Sequence, residues 1–265
     1  MGEKLGENMN REDALVEIER LIVSKHKEIN IKNGIPIPEY YYIGIGKTAS
    51  KSIFLGLDKT TVHWHRVRYF ERIYQTDLLS RFKLNLFDVI LHLSAKYKFK
   101  PFIIECYRDP VAFSISKTVQ RIKAGKIVLP AKDKDKIEFI IKAIEIETPT
   151  PQALQWKKYF GVDLLKEFNA HKKYLFKTTP NANLMFLRFE DIQQRRGIFG
   201  RHGYSYIDLH ENKSTAVLGD RYAEVLQQFK LPEMELMELY NKKEIMALYT
   251  EAEIEGFIHK WKREK

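Results

Sequence analysis

Tyr40-Tyr41-Tyr42-Ile43-Gly44-Ile45-Gly46-Lys47-Thr48-Ala49-Ser50-Lys51-Ser52-Ile53 carries an aromatic and aliphatic run into a pair of glycines, then a lysine, then small hydroxyl residues and an apolar periodic stretch. The order reads as strand, tight turn and helix N-terminus. Such a turn aims backbone N–H groups, the positive end of a helix dipole and a lysine at one spot. That spot suits a phosphate or another multiply charged oxyanion. The alternative is a glycine turn whose lysine points into solvent. The loop is not the nucleoside-triphosphate loop G-x-x-x-x-G-K-[ST]. Counting back from Gly46, its first glycine falls at position 41, where Tyr41 stands.

A second segment repeats the logic. Pro101-Phe102-Ile103-Ile104-Glu105-Cys106-Tyr107 reads as a buried strand, ended by Arg108-Asp109-Pro110. Pro110 has no N–H and a fixed φ, so it fits the first turn of a following helix. Ser116 lies eight positions after Arg108. A strand-end arginine and a serine two turns into the next helix can converge on one anion; the plainer reading is a local cap or ion pair and a serine on a helix face.

Gly46-Lys47-Thr48-Ala49-Ser50-Lys51-Ser52-Ile53 resembles the first signature of the sulfotransferases, and Arg108-Asp109-Pro110 with Ser116 resembles the second. Leu184-Met185-Phe186-Leu187-Arg188-Phe189-Glu190-Asp191-Ile192 resembles a late, largely architectural strand of that family. Trp156 to Asp163, Asn212-Lys213-Ser214, Tyr222 and Tyr249 to Trp261 are similar to the bacterial capsular-polysaccharide-synthesis proteins related to sulfotransferases. The resemblance touches most of the chain from about Tyr40 onward. It implies a P-loop-like sulfotransferase fold. It also implies a transferase that moves a sulfuryl group from 3′-phosphoadenosine 5′-phosphosulfate to a hydroxyl of a carbohydrate or polysaccharide. On this reading Gly46, Lys47, Thr48, Ala49, Ser50, Lys51 and Ser52 cradle the 5′-phosphosulfate, and Arg108 and Ser116 hold the 3′-phosphate. Two positions depart from the pattern: Ser50 stands where many members carry glycine, and Lys51 where many carry threonine.

Sulfuryl transfer needs a proton removed from the acceptor and charge stabilised on the leaving bridge oxygen. Lys47 is assigned the second task, as a compact cation that can follow charge toward the leaving phosphate. His63 and His65 sit two apart in a predicted strand, so both project from one face. His65 is the candidate base, because imidazole titrates near neutral pH; the alternative is a pair of structural or surface histidines. Glu71 and His92 are further candidates. Trp64 and Trp156 are candidate sugar platforms or core aromatics. No metal is expected, since two histidines without a cysteine or carboxylate signature do not make a site.

The 265 residues suffice for one α/β domain. Apolar content of 44% with 30% charged is ordinary for a globular chain. Lys+Arg 45 against Asp+Glu 35 gives a net charge of +10, which suits an anionic donor and an anionic or polymeric acceptor, and equally nucleic acid or an anionic membrane surface. The basic residues are spread along the chain and show no nucleic-acid motif. The single cysteine, Cys106, excludes an intrachain disulfide and reads as a buried thiol. Met1 to Asn10 lacks the apolar core of a signal peptide, and no run of about 18 apolar residues exists. A soluble, cytoplasmic protein without stable membrane insertion is the expectation.

Along the chain, Asn10 to Lys27 reads as an amphipathic helix, Thr48 to Leu57 as the helix after the turn, and Thr60 to Val67 as a second strand. Arg72 to Lys98 reads as largely helical, with Leu84, Phe87, Ile90 and Leu91 as a core stripe. Gly125 to Pro151 is the least regular part and reads as a lid or acceptor-binding excursion or as a plain solvated loop and helix; residues 125–180 are the candidate acceptor-side excursion. Gln152 to Asn169 reads as a helix broken at Gly161, Leu184 to Phe189 as a fourth strand, and Arg195 to Asn212 as irregular. Thr250-Glu251-Ala252-Glu253 is a capping box that opens a helix to about Trp261. The expected architecture is one domain over 1–265, a three-layer α/β/α arrangement on a mostly parallel sheet of four to five strands. An N-terminal helical edge spans 1–35 and C-terminal helices span 215–265. Two other functions fit parts of this reading: an ATP-dependent phosphotransferase, opposed by Tyr41, and a non-enzymatic basic module for polyanions.

Overall fold

The computed structural model describes residues 9–26, 37–44, 53, 56–57, 61–64, 67–207, 218–219 and 221–263. The strands are β1 Tyr40–Ile43, β2 Thr61–Trp64, β3 Phe102–Tyr107, β4 Tyr174–Thr178 and β5 Asn183–Arg188. They form one sheet in the order β2-β1-β3-β5-β4. The first four strands in sheet order run parallel, and β4 pairs antiparallel with β5 at the edge.

The inner strands are almost continuously apolar, as expected where helices cover both faces of a parallel sheet. Alternate residues feed two separate cores. Tyr41, Ile43, Ile103, Tyr107, Leu184 and Phe186 face the larger core, packed by the helices Arg11–His26, Leu86–Tyr97 and Pro110–Lys123. Tyr42, Ile104, Cys106, Met185 and Leu187 face the smaller one, closed by Ile53, Leu57, Ile198, Phe199 and Tyr206. The fold is therefore mixed α/β, with a mostly parallel sheet and helices on both sides.

Several elements differ from expectation. β2 stops at Trp64, and Val67 opens the helix Val67–Tyr74. The stretch 72–98 is divided among this helix, Leu78–Arg81 and Leu86–Tyr97. The breaks fall at Gln75 and Lys83, whose φ angles of 51° and 52° lie in the left-handed region and end a helix. Leu84, Phe87 and Ile90 are buried, while Leu91 is only half-buried. β4 was not read from sequence; its apolar core, Leu175 with Tyr174 and Phe176, is short and bracketed by lysines. It is held by the hairpin in which Thr179 and Ala182 exchange backbone and hydroxyl hydrogen bonds.

Arg195 to Arg201 is helical rather than irregular, because Ile198 and Phe199 pack on the sheet and offset the low helix propensity of Gly197 and Gly200. The region 125–151 contains the helix Asp133–Lys142. After it come a 3-10 turn Gln152–Gln155 and the helix Trp156–Phe160, ended by Gly161 at φ 74°. The predicted capping box is present: Thr250 Oγ1 accepts from Glu253 N–H, and Glu253 accepts from Thr250 N–H. No helix among the described residues is long and apolar enough to cross a membrane.

Candidate functional site at the β1–β3 switch point

β1 and β3 are adjacent and parallel, yet their onward connections diverge. The chain leaves β1 toward β2 at one edge of the sheet and leaves β3 toward β5 on the other side. The segment after β1 packs on the smaller core through Ile53 and Leu57. The helix after β3 packs on the larger core through Val111, Ile115 and Val119. A crevice outside the carboxyl ends of such a strand pair is where open α/β sheets bind ligands. Gly44 stands at one lip, directly after β1, and Arg108 at the other, directly after β3.

The expected residues Gly46, Lys47, Thr48, Ala49, Ser50, Lys51, Ser52 and His65 lie outside the described residues, as does the side chain of His63. Of the expected helix over 48–57, Ile53 and Gly56 are described and helical. A Cβ at Gly56 would lie 2.5 Å from Ile207 carbonyl and from the Tyr206 ring. Only glycine allows that approach, and Ile207 N–H donates to Gly56 carbonyl at 2.9 Å. The segment at Gly56 is thus clamped to residues 206–207.

On the β3 side, Arg108 lays its guanidinium over the Phe189 ring, 4.0 Å from the centroid. Asp109 caps the Pro110 helix by accepting from Val111 N–H and Ala112 N–H, both at 3.2 Å, and Pro110 occupies the first turn as read from sequence. Ser114 and Thr118 donate back to Pro110 and Ser114 carbonyls in their own helix. Ser116 lies on the same helix and is also buried.

Arg195 is a cation that the sequence reading missed. It is 1% exposed. Nη1 donates to Tyr206 hydroxyl at 3.3 Å, while Nε and Nη2 have no hydrogen-bond partner among the described residues. Burial pushes the Cys106 thiol up to about 12, and the guanidinium of Arg195 and, more weakly, that of Arg108 pull it back. Both arginines therefore act on the same stretch of β3. The signal in the sequence was Arg195-Arg196-Gly197, a basic pair soon after a strand end, which its glycines made look like a loop.

Glu105 was also missed. It is 2% exposed, and its Cγ lies 3.4 Å from where a Cβ on Gly44 would stand. Its oxygens accept from the backbone N–H groups of Gln152, at 2.7 Å, and Ala153. Burial raises its pKa to about 8 against the pull of those two donors. The carboxyl thus fastens the 3-10 turn Gln152–Gln155 beside the crevice.

Other candidates are occupied elsewhere. Glu71 accepts from the backbone and hydroxyl of Ser80. His92 pairs with Glu19 at 3.0 Å. Trp64, Trp156 and Cys106 are core residues. Compared with protein-family models, with curated proteins and with solved structures, the chain matches none.

Proposed function

We propose that the protein is a sulfotransferase that takes a sulfuryl group from 3′-phosphoadenosine 5′-phosphosulfate to an acceptor hydroxyl of a carbohydrate. The observation that carries this reading is the adjacency of β1 and β3 at the switch point. It sets Gly44 and Arg108 at the ends of neighbouring parallel strands, an arrangement that suits a nucleotide with phosphates at both ends. Two donors of Arg195 that have no hydrogen-bond partner among the described residues support it further.

In this reading Arg108, Ser116 and Arg195 hold the 3′-phosphate, where planar guanidinium donors suit phosphate oxygens. Gly46 to Ser52 hold the 5′-phosphosulfate through backbone N–H groups and Ser52. The acceptor oxygen forms the new S–O bond as the bond from sulfur to the bridging phosphate oxygen breaks. The acceptor proton passes to a base, for which His65 is the candidate, and Lys47 stabilises the charge on the leaving adenosine 3′,5′-bisphosphate. No metal takes part in this scheme.

Calorimetric titration with adenosine 3′,5′-bisphosphate tests the reading. Binding in the micromolar range, weakened at least about tenfold by Arg108→Ala and by Lys47→Ala, is the expected result. Absence of binding by the unaltered chain, or binding indifferent to both substitutions, rejects it.

A further inference from the structure

The loop that bears Arg108 is held by the C-terminal helices through the buried carboxylate of Asp109 and the more exposed carboxylate of Glu190. Asp109, 2% exposed, receives four hydrogen bonds. Two come from its own helix N-terminus. The others come from Tyr240 hydroxyl at 2.5 Å, on the helix Glu233–Tyr240, and from Trp261 Nε1 at 3.0 Å, on the helix Glu251–Trp261. Glu190, directly after Phe189, accepts from Asp109 N–H at 2.8 Å and from Tyr249 hydroxyl at 2.9 Å. Tyr240, Tyr249 and Trp261 are all buried.

The peptide that links residues 108 and 109 is thus gripped from both sides. Glu190 takes its N–H, and the Asp109 carboxylate pins the residue that follows. Phe189, next to Glu190, lies under the Arg108 guanidinium. These contacts set the direction in which Arg108 leaves the backbone and the plane in which its donors lie. The buried Asp109 carboxylate, if it loses one of its four donors, is left partly unsatisfied in a medium of low dielectric, so its neighbours shift.

We infer that Asp109, Glu190, Tyr240, Tyr249 and Trp261 form a positioning network that presents Arg108 to the 3′-phosphate, and so sets the preference for a nucleotide phosphorylated at the 3′ position. The inference rests on the function proposed above, and it makes the C-terminal helices part of donor recognition.

Tyr240→Phe and Tyr249→Phe each remove one oxygen and almost no volume, so the fold survives. Affinities of the unaltered chain, each single variant and the double variant are measured by calorimetry for adenosine 3′,5′-bisphosphate and for adenosine 5′-monophosphate. The double variant is expected to lose about tenfold for the bisphosphate and less than about twofold for the monophosphate. Asp109→Asn, which keeps the shape but not the charge, is expected to show the same selective loss. A preserved ratio of the two affinities, whether both hold or both fall together, overturns the network's role while leaving the donor assignment intact. Failure of the unaltered chain to prefer the bisphosphate overturns both.

Discussion

Arg188 and Arg195 are equally buried guanidinium groups, each 1% exposed, and the protein treats them in opposite ways. Arg188, the last residue of β5, spends its donors on Asp191 at 2.7 Å, on both oxygens of Glu253 at 2.8 and 2.9 Å, and on Leu248 carbonyl at 3.0 Å. It staples the sheet to the C-terminal helices. Arg195 has one hydroxyl at 3.3 Å and two donors without a hydrogen-bond partner among the described residues. An ion removed from water without compensation raises the free energy of the fold by several kcal/mol. A cation saturated by carboxylates is architecture; a buried cation left unsaturated is, under the proposed function, where an anion from solution would bind.

The comparison breaks most visibly at Arg188. Arg188→Met strands Asp191 and Glu253, and it should lower unfolding stability by about 3–5 kcal/mol in a denaturant titration. The same substitution at Arg195 should act with the opposite sign. Arg195→Met removes an uncompensated charge, so the unliganded protein should hold its stability or gain up to about 2 kcal/mol. Its affinity for adenosine 3′,5′-bisphosphate should fall at least about tenfold. A loss of stability at Arg195 comparable with that at Arg188 would show that its charge is already satisfied.

Glu105 sharpens the contrast with a buried acid that burial holds protonated in the folded state. Its folded pKa is raised to about 8 from 4.5, so the folded state holds a proton that the unfolded chain releases between those values. Stability from this group is therefore complete below pH 4.5 and is lost as pH rises toward 8. Glu105→Gln cannot titrate. The stability difference between the unaltered chain and this variant should decline steadily across that window in thermal unfolding, and a flat difference would contradict the assignment.

The parts of this fold that were legible in sequence rest on local chemistry. Strands β1 and β3 announce themselves as apolar runs cut by Gly44 and by Arg108-Asp109-Pro110, and the Thr250 capping box depends on four consecutive residues. What escaped is decided by partners far along the chain. β4 exists because β5 offers it an edge. The Arg195 helix forms through glycines because Ile198 and Phe199 find the sheet. Glu105 reads as an interruption of a strand until the N–H groups of Gln152 and Ala153 reach it. The motif Arg188-Phe189-Glu190-Asp191 was read as architecture. Arg188 and Asp191 fit that reading, whereas Phe189 and Glu190 touch Arg108 and its following peptide.

Crystals grown with adenosine 3′,5′-bisphosphate offer the most direct examination of the crevice. Density should place the 3′-phosphate against Arg108, Ser116 and Arg195, with the 5′-phosphate at the turn that follows Gly44. Density for the nucleotide at any other surface, with the β1–β3 crevice empty, would contradict the account.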